Sequence, residues 1–182
     1  MGTVHLSEQV RRAARGDQEA AGALFDEYHP RIYRYALAKL GRPAAAEDVA
    51  AETFARALGR LPRFRWRGGG FEAWLFRIAS NLIVDEFRTE ARIGEIPDTD
   101  AIERASPDAE TLVLEREDAR ELARILTGLP EDQREVLLLR FAGGLDTAEI
   151  GKVMDRKANA VRQLQFRALT KLRETMTQDA WT

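Results

Sequence analysis

Apolar residues recur at helical spacing along most of this chain. The pattern predicts helices over Leu6–Ala14, Gln18–Ala38, Ala44–Leu61 and Phe71–Arg92. Beyond an aperiodic stretch it predicts four more, over 110–128, 131–142, 147–154 and 157–175. Pro30 is expected to interrupt the second helix after His29, Pro43 to open the third, and Pro62 to follow its end. Pro130 falls at a helix start, where its missing N–H costs nothing. Glu95–Asp108 holds Pro97, Pro107 and five acidic residues with little periodicity, and reads as an exposed linker. The expected architecture is all-α: two small helical domains, 1–94 and 110–182, joined by a flexible acidic linker at 95–109.

On the fourth helix Phe71, Leu75, Ile78, Ala79, Leu82, Ile83 and Phe87 form one apolar face. Arg77, Asn81, Asp85, Arg88 and Arg92 share a narrow stripe on the other side. Trp74 lies only about 20° from Asn81 around the helix. The segment before it, Arg60-Leu-Pro-Arg-Phe-Arg-Trp-Arg67, interleaves cations with aromatics and runs into Gly68, Gly69 and Gly70. Arginines such as Arg63, Arg65 and Arg67 attract phosphates, a ring such as Trp66 stacks on bases, and glycines let backbone approach closely. The plainer reading is a solvated basic turn with core aromatics, Trp74 closing the core edge.

Asp146-Thr-Ala-Glu149 reads as a capping box. A four-residue turn, Asp155–Ala158, separates the helix it opens from another beginning near Asn159, which is a helix-turn-helix signal. Val161, Leu164, Ala168, Leu169 and Leu172 are expected to face inward on that second helix. Asn159, Arg162, Gln163, Phe166, Arg167, Thr170, Lys171 and Arg173 are expected to face outward. Phe166 amid polar groups would waste apolar area in water, yet in a major groove it can meet a thymine methyl while its neighbours bond base edges and phosphates. Asp155–Arg173 carries six cations and one anion. The plainer reading is a solvated cationic helix.

The 182 residues are 45% hydrophobic and include no cysteine, which excludes disulfides, thiolate chemistry and Cys-type zinc sites. Net charge is −2, but its distribution matters more: about +2 over 1–95, −7 over 96–135 and +3 over 136–182. Two mildly basic ends flank an acidic middle, and a local basic footprint is what nucleic-acid binding needs. No apolar run reaches transmembrane length and Met1–Glu8 lacks a signal-peptide core, so a cytoplasmic protein without membrane insertion is expected. There is no P-loop, nucleotide fingerprint or metal-ligand cluster. The only histidines, His5 and His29, read as surface and packing residues. Neither catalysis nor a metal or cofactor is expected.

Both blocks resemble one family, the extracytoplasmic-function (ECF) group of sigma-70-type factors. Region 2 is carried by Phe25-Asp-Glu-Tyr-His-Pro-Arg-Ile-Tyr33, Ala46-Glu-Asp-Val-Ala-Ala-Glu-Thr-Phe-Ala-Arg-Ala57 and Phe71-Glu-Ala-Trp-Leu-Phe-Arg-Ile-Ala-Ser-Asn-Leu-Ile-Val-Asp-Glu-Phe-Arg88. Region 4 is carried by Leu129-Pro-Glu-Asp-Gln-Arg-Glu-Val-Leu-Leu-Leu-Arg-Phe141, Thr147-Ala-Glu-Ile150 and Ala160-Val-Arg162. The resemblance implies that helix 44–61 docks on the clamp helices of the largest polymerase subunit through Asp48, Glu52, Thr53 and Arg56. Arg63, Arg65, Trp66, Arg67, Trp74, Arg77, Asn81, Asp85 and Arg88 would capture the melted −10 strand. Lys157, Asn159, Arg162, Gln163, Phe166, Arg167 and Lys171 would read the −35 duplex, with region 4 near the β flap. Core polymerase does the chemistry, and the resemblance allows an anti-sigma partner. The chain departs from the family pattern at Gly68–Gly70, at Asp155 for a turn glycine, at Lys157 for a Ser/Thr cap, at Asn159-Ala160 for Gly-Thr, and at Leu164 for a basic residue. A helix-turn-helix regulator acting without polymerase would account for the second domain and leave the first idle.

Overall fold

The computed structural model describes residues 3–66, 70–93 and 126–179. Four α-helices form the first unit: α1 (Thr3–Ala14), α2 (Gln18–Leu40), α3 (Pro43–Arg60) and α4 (Gly70–Ile93), with a 3₁₀ turn over Leu61–Arg63. Three form the second: α5 (Glu131–Phe141), α6 (Thr147–Val153) and α7 (Ala158–Asp179). The expected linker and most of the expected helix over 110–128 lie outside the described residues.

α2 is the spine of the first unit. Asp17 caps its start by accepting from the Ala20 N–H at 3.1 Å. Gly41 ends it in the left-handed region, φ 69°, with its N–H on the Leu37 carbonyl. Contrary to expectation, Pro30 does not interrupt it, and α2 runs unbroken to Leu40. Pro30 is on the exposed face, while Leu24, Tyr28, Ile32 and Tyr35 are buried on the other. Tertiary packing over 23 residues outweighs one lost hydrogen bond. α3 presents small residues, Ala46, Ala50 and Ala57, around Phe54, so α2 and α3 approach closely. α4 adds Phe71, Leu75, Phe76, Ala79 and Ile83. Arg42 at the head of α3 bonds Glu86 and Glu90 on α4, fixing where the two helices meet.

In the second unit Val136, Leu139, Leu145, Ile150, Val161 and Ala168 are fully buried and hold α5, α6 and α7 together. The two units also pack on each other, α4 against α6 and α2 against α5.

Candidate nucleic-acid interface

The α6–turn–α7 unit is built by local rules. Asp146 Oδ1 accepts from the Ala148 and Glu149 N–H groups, both at 2.8 Å, and Glu149 accepts in return from the Asp146 N–H at 2.7 Å. This is the expected capping box. At the far end the Arg156 N–H donates to the Gly151 carbonyl at 2.8 Å, folding the turn against α6. A Cβ on Gly151 would lie 2.7 Å from the Arg156 carbonyl oxygen, so glycine is what admits the turn. Asp155 sits at φ 54°, the left-handed conformation that a turn glycine would supply and aspartate tolerates.

This frame leaves one face of α7 in solvent. Asn159, Arg162, Gln163 and Arg167 are exposed, and Phe166 is 73% exposed among them. Arg162 Nη1 donates to Asn159 Oδ1 at 2.6 Å, which holds the guanidinium along the helix surface. Lys157 is exposed beside the turn. Lys171 is exposed too, but its Nζ is bonded to the Gly128 carbonyl at 2.7 Å. Leu169, expected inside, is 47% exposed. It lies about 80° around the helix from Val161, at the edge of the apolar arc.

A second cluster surrounds the start of α4. Phe64 packs on Trp74 at 4.8 Å, Trp66 at 5.9 Å and Phe71 at 6.1 Å between ring centroids. Trp66 is 43% exposed and Trp74 is half-buried. Beside these rings opens a cavity of about 440 Å³, with Arg60, Arg63, Arg65 and Arg77 along one side and Lys152 of α6 on another. Among the described residues no acidic side chain lines it. Its cations and rings supply phosphate attraction and stacking surface in one place. Arg77, Asn81, Asp85 and Arg88 follow along exposed α4, with Arg88 paired to Asp85 at 3.3 Å. Arg67 lies outside the described residues.

On α3, Asp48, Glu52 and Arg56 are exposed, with Arg56 Nε 2.7 Å from Glu52. Thr53 departs from the expected group. It is fully buried and its hydroxyl donates to the Val49 carbonyl at 2.7 Å. At 100° per residue it stands about 140° from Asp48, in the arc of Val49, Ala46 and Ala57. His29 packs on Phe25 at 4.5 Å and pairs with Glu47 at 3.3 Å. Among the described residues no group of three or more His, Cys, Asp or Glu could hold a metal, and no helix is long and apolar enough to cross a membrane. Reasoning from sequence missed Lys152 as a wall of the cavity. Its place there depends on packing between the two units, which helical periodicity does not report.

The family models place these elements. Sigma-70 region 2 matches residues 24–93 and Sigma-70 region 4 matches 119–172. The ECF RNA polymerase sigma factor BldN of Streptomyces coelicolor is 38% identical, over 98% of this chain and 68% of its own length. The ECF sigma factor ShbA of Streptomyces griseus is 36% identical, over 94% of this chain and 95% of its own. The solved structure of CnrH in complex with the cytosolic domain of CnrY is similar with a TM-score of 0.72 and 25% identity, covering 94% of this chain and 96% of that one. Two region models in order, on a chain matched nearly end to end by such relatives, show the family: the chain belongs to the ECF group of sigma-70-type sigma factors, which bind RNA polymerase core and direct promoter recognition and transcription initiation.

Proposed function

We propose that this sigma factor divides its DNA work between two surfaces and its polymerase contact between two others. α7 reads the −35 element as duplex through Arg162, Gln163, Phe166 and Arg167, with Lys157 and Asn159 at its head. The α4 stripe from Trp74 to Arg88, with Arg63, Arg65 and Trp66, takes the melted −10 strand. Asp48, Glu52 and Arg56 meet the clamp helices of the largest polymerase subunit, and the region 4 unit sits near the β flap. Polymerase performs the catalysis, in the cytoplasm. An anti-sigma protein that occupies these surfaces belongs to the same reading, since the similar CnrH structure was solved with a protein partner.

The observation that carries the proposal is Phe166, 73% exposed at the centre of an otherwise polar face on a helix whose opposite side is sealed by Val161 and Ala168. Its place among cations and amides on the second helix of a helix-turn-helix gives it weight, because in a major groove such a ring can meet a thymine methyl while its neighbours bond base edges and phosphates. The test is run-off transcription from a promoter library with reconstituted holoenzyme, beside a core polymerase pull-down. Transcription from a subset sharing two spaced elements is expected. Sequence-specific duplex binding without core capture would leave a helix-turn-helix regulator instead.

A further inference from the structure

The cavity beside Trp74 joins two chemistries that one ligand can satisfy together. The first is positive charge. The guanidiniums of Arg60, Arg63, Arg65 and Arg77 and the Lys152 ammonium line it, and all five residues are exposed. Among the described residues none of the five pairs with a carboxylate, unlike Arg56 and Arg88 nearby in sequence. Glu72, close to Gly70 of the lining, is engaged elsewhere: its Oε1 accepts from the Tyr28 hydroxyl at 3.1 Å and stands 3.7 Å from Arg31 Nη1. Five like charges gathered in one concavity repel one another, and their summed field focuses on an anion.

The second chemistry is a set of rings already fixed in place. Trp74 packs on Phe64 at 4.8 Å and on Phe71 at 5.7 Å between centroids. Phe71 is buried and in turn meets Tyr28 at 5.5 Å. Trp74 keeps part of its surface free, so a flat ligand ring can stack there without the entropic cost of ordering its platform. The volume, about 440 Å³, lies in the range of small-molecule sites, ~300–1,000 Å³. Lys152 comes from α6, so one wall belongs to the helix-turn-helix unit. A strand that follows α4 needs a path past that wall, whereas a mononucleotide needs only the space between the walls.

We propose that this cavity binds a free purine nucleotide carrying two or three phosphates, and that the bound nucleotide excludes the −10 strand from the same arginines. The guanidiniums and Lys152 hold the phosphates, a task the planar Arg fork suits. Trp74 and Phe64 present rings to the base, and a purine offers the larger face to stack. Nucleotide concentration then opposes strand capture by mass action. The site stands on the cavity itself; the exclusion rests on the strand-capture reading above.

The test uses the full chain with Trp181→Phe, which leaves Trp66 and Trp74 as its tryptophans. ATP in magnesium-free buffer should quench their fluorescence saturably, and calorimetry should return the same affinity. Adenosine and tripolyphosphate each carry half of the chemistry and should bind at least about tenfold more weakly than ATP. Arg63→Glu and Lys152→Glu should each weaken ATP by about tenfold or more. Arg173→Glu makes the same charge change outside the lining and should leave ATP binding unchanged. A normal circular dichroism spectrum shows that each variant folds. No saturable ATP binding, adenosine or tripolyphosphate as tight as ATP, unchanged affinity in Lys152→Glu, or an equal loss in Arg173→Glu overturns the site. A short single-stranded oligonucleotide should displace ATP. If it binds alongside ATP, the exclusion is overturned. If it does not bind at all while ATP does, the strand-capture reading fails and the nucleotide site stands.

Discussion

Gly151 offers a test in which one chemical change should act with opposite sign at two places. In Gly151→Ala the added methyl would meet the Arg156 carbonyl oxygen at 2.7 Å and Val161 Cγ2 at 3.7 Å. The first is backbone, pinned by the bond from the Arg156 N–H to the Gly151 carbonyl, so relief means shifting the turn that positions α7. Overpacking of this kind costs about 1–3 kcal/mol, while alanine's better helix propensity returns about 1 kcal/mol. The net is a loss of about 1 kcal/mol, roughly a fivefold rise in local opening. Gly22, mid-helix in α2, has nothing within 4 Å of its Cβ, so Gly22→Ala gains the propensity alone and should stabilise by about 1 kcal/mol. Hydrogen exchange separates the two by position: faster exchange in α6 and α7 for Gly151→Ala, slower in α2 for Gly22→Ala. The first variant should also lose affinity for duplex −35 DNA, since α7 moves relative to α6. If Gly151→Ala protects α6 and α7 at least as well as the parent chain, the close-approach argument is wrong.

Four further outcomes follow from the same geometry. Reversing Asp48 and Glu52 together to lysine should weaken core polymerase capture in a pull-down, whereas Thr53→Val, inside the bundle, should leave it unchanged. Arg162→Ala should cost about 1–3 kcal/mol of duplex affinity and relax preference at one base pair; a uniform loss across a site library would make it a phosphate anchor. Asn81→Ala should retain core binding and closed-promoter loading but fail at opening, read by permanganate footprinting of the −10 region. The last concerns pH. The Glu149 carboxyl is pushed up to about 7, first by burial and then by a hydrogen bond shared with Glu72. Around the pair stand Asp146, Tyr28 and Arg31. The folded chain keeps this proton while an unfolded Glu149 releases it near its ordinary value of 4.5. Folding therefore takes up a proton, and this contribution to stability weakens as pH rises from about 4.5 to about 7, levelling beyond. The urea midpoint should be higher at pH 6 than at pH 8, and Glu149→Gln should flatten the difference; the opposite trend refutes the assignment.

Local signals in the sequence were read well because their causes are local. The capping box at Asp146–Glu149, the left-handed Asp155 and the inward arc of Val161 and Ala168 follow from a few neighbouring residues. Where the competing force was tertiary, the sequence misled. Pro30 argued for a break, and packing of the opposite face of α2 overrode it. Thr53 stands at i+5 in the series Asp48, Glu52, Thr53 and Arg56, which suggests one shared side, but its angle of about 140° from Asp48 puts it in the core. Leu169 reads as apolar and inward, yet it lies at the edge of the arc. The docking of one unit on the other was invisible, because Arg31, Tyr35 and Lys39 find their partners about a hundred residues away.

Those three side chains stand at i, i+4 and i+8 of α2, so they form a single stripe one residue wide. Each couples an apolar stem or ring to a polar tip. A face made this way suits contact with protein and also suits contact with water. Because each polar tip must meet its acceptor at a set distance and angle, the stripe fixes the register between α2 and α5, where apolar packing alone would permit sliding.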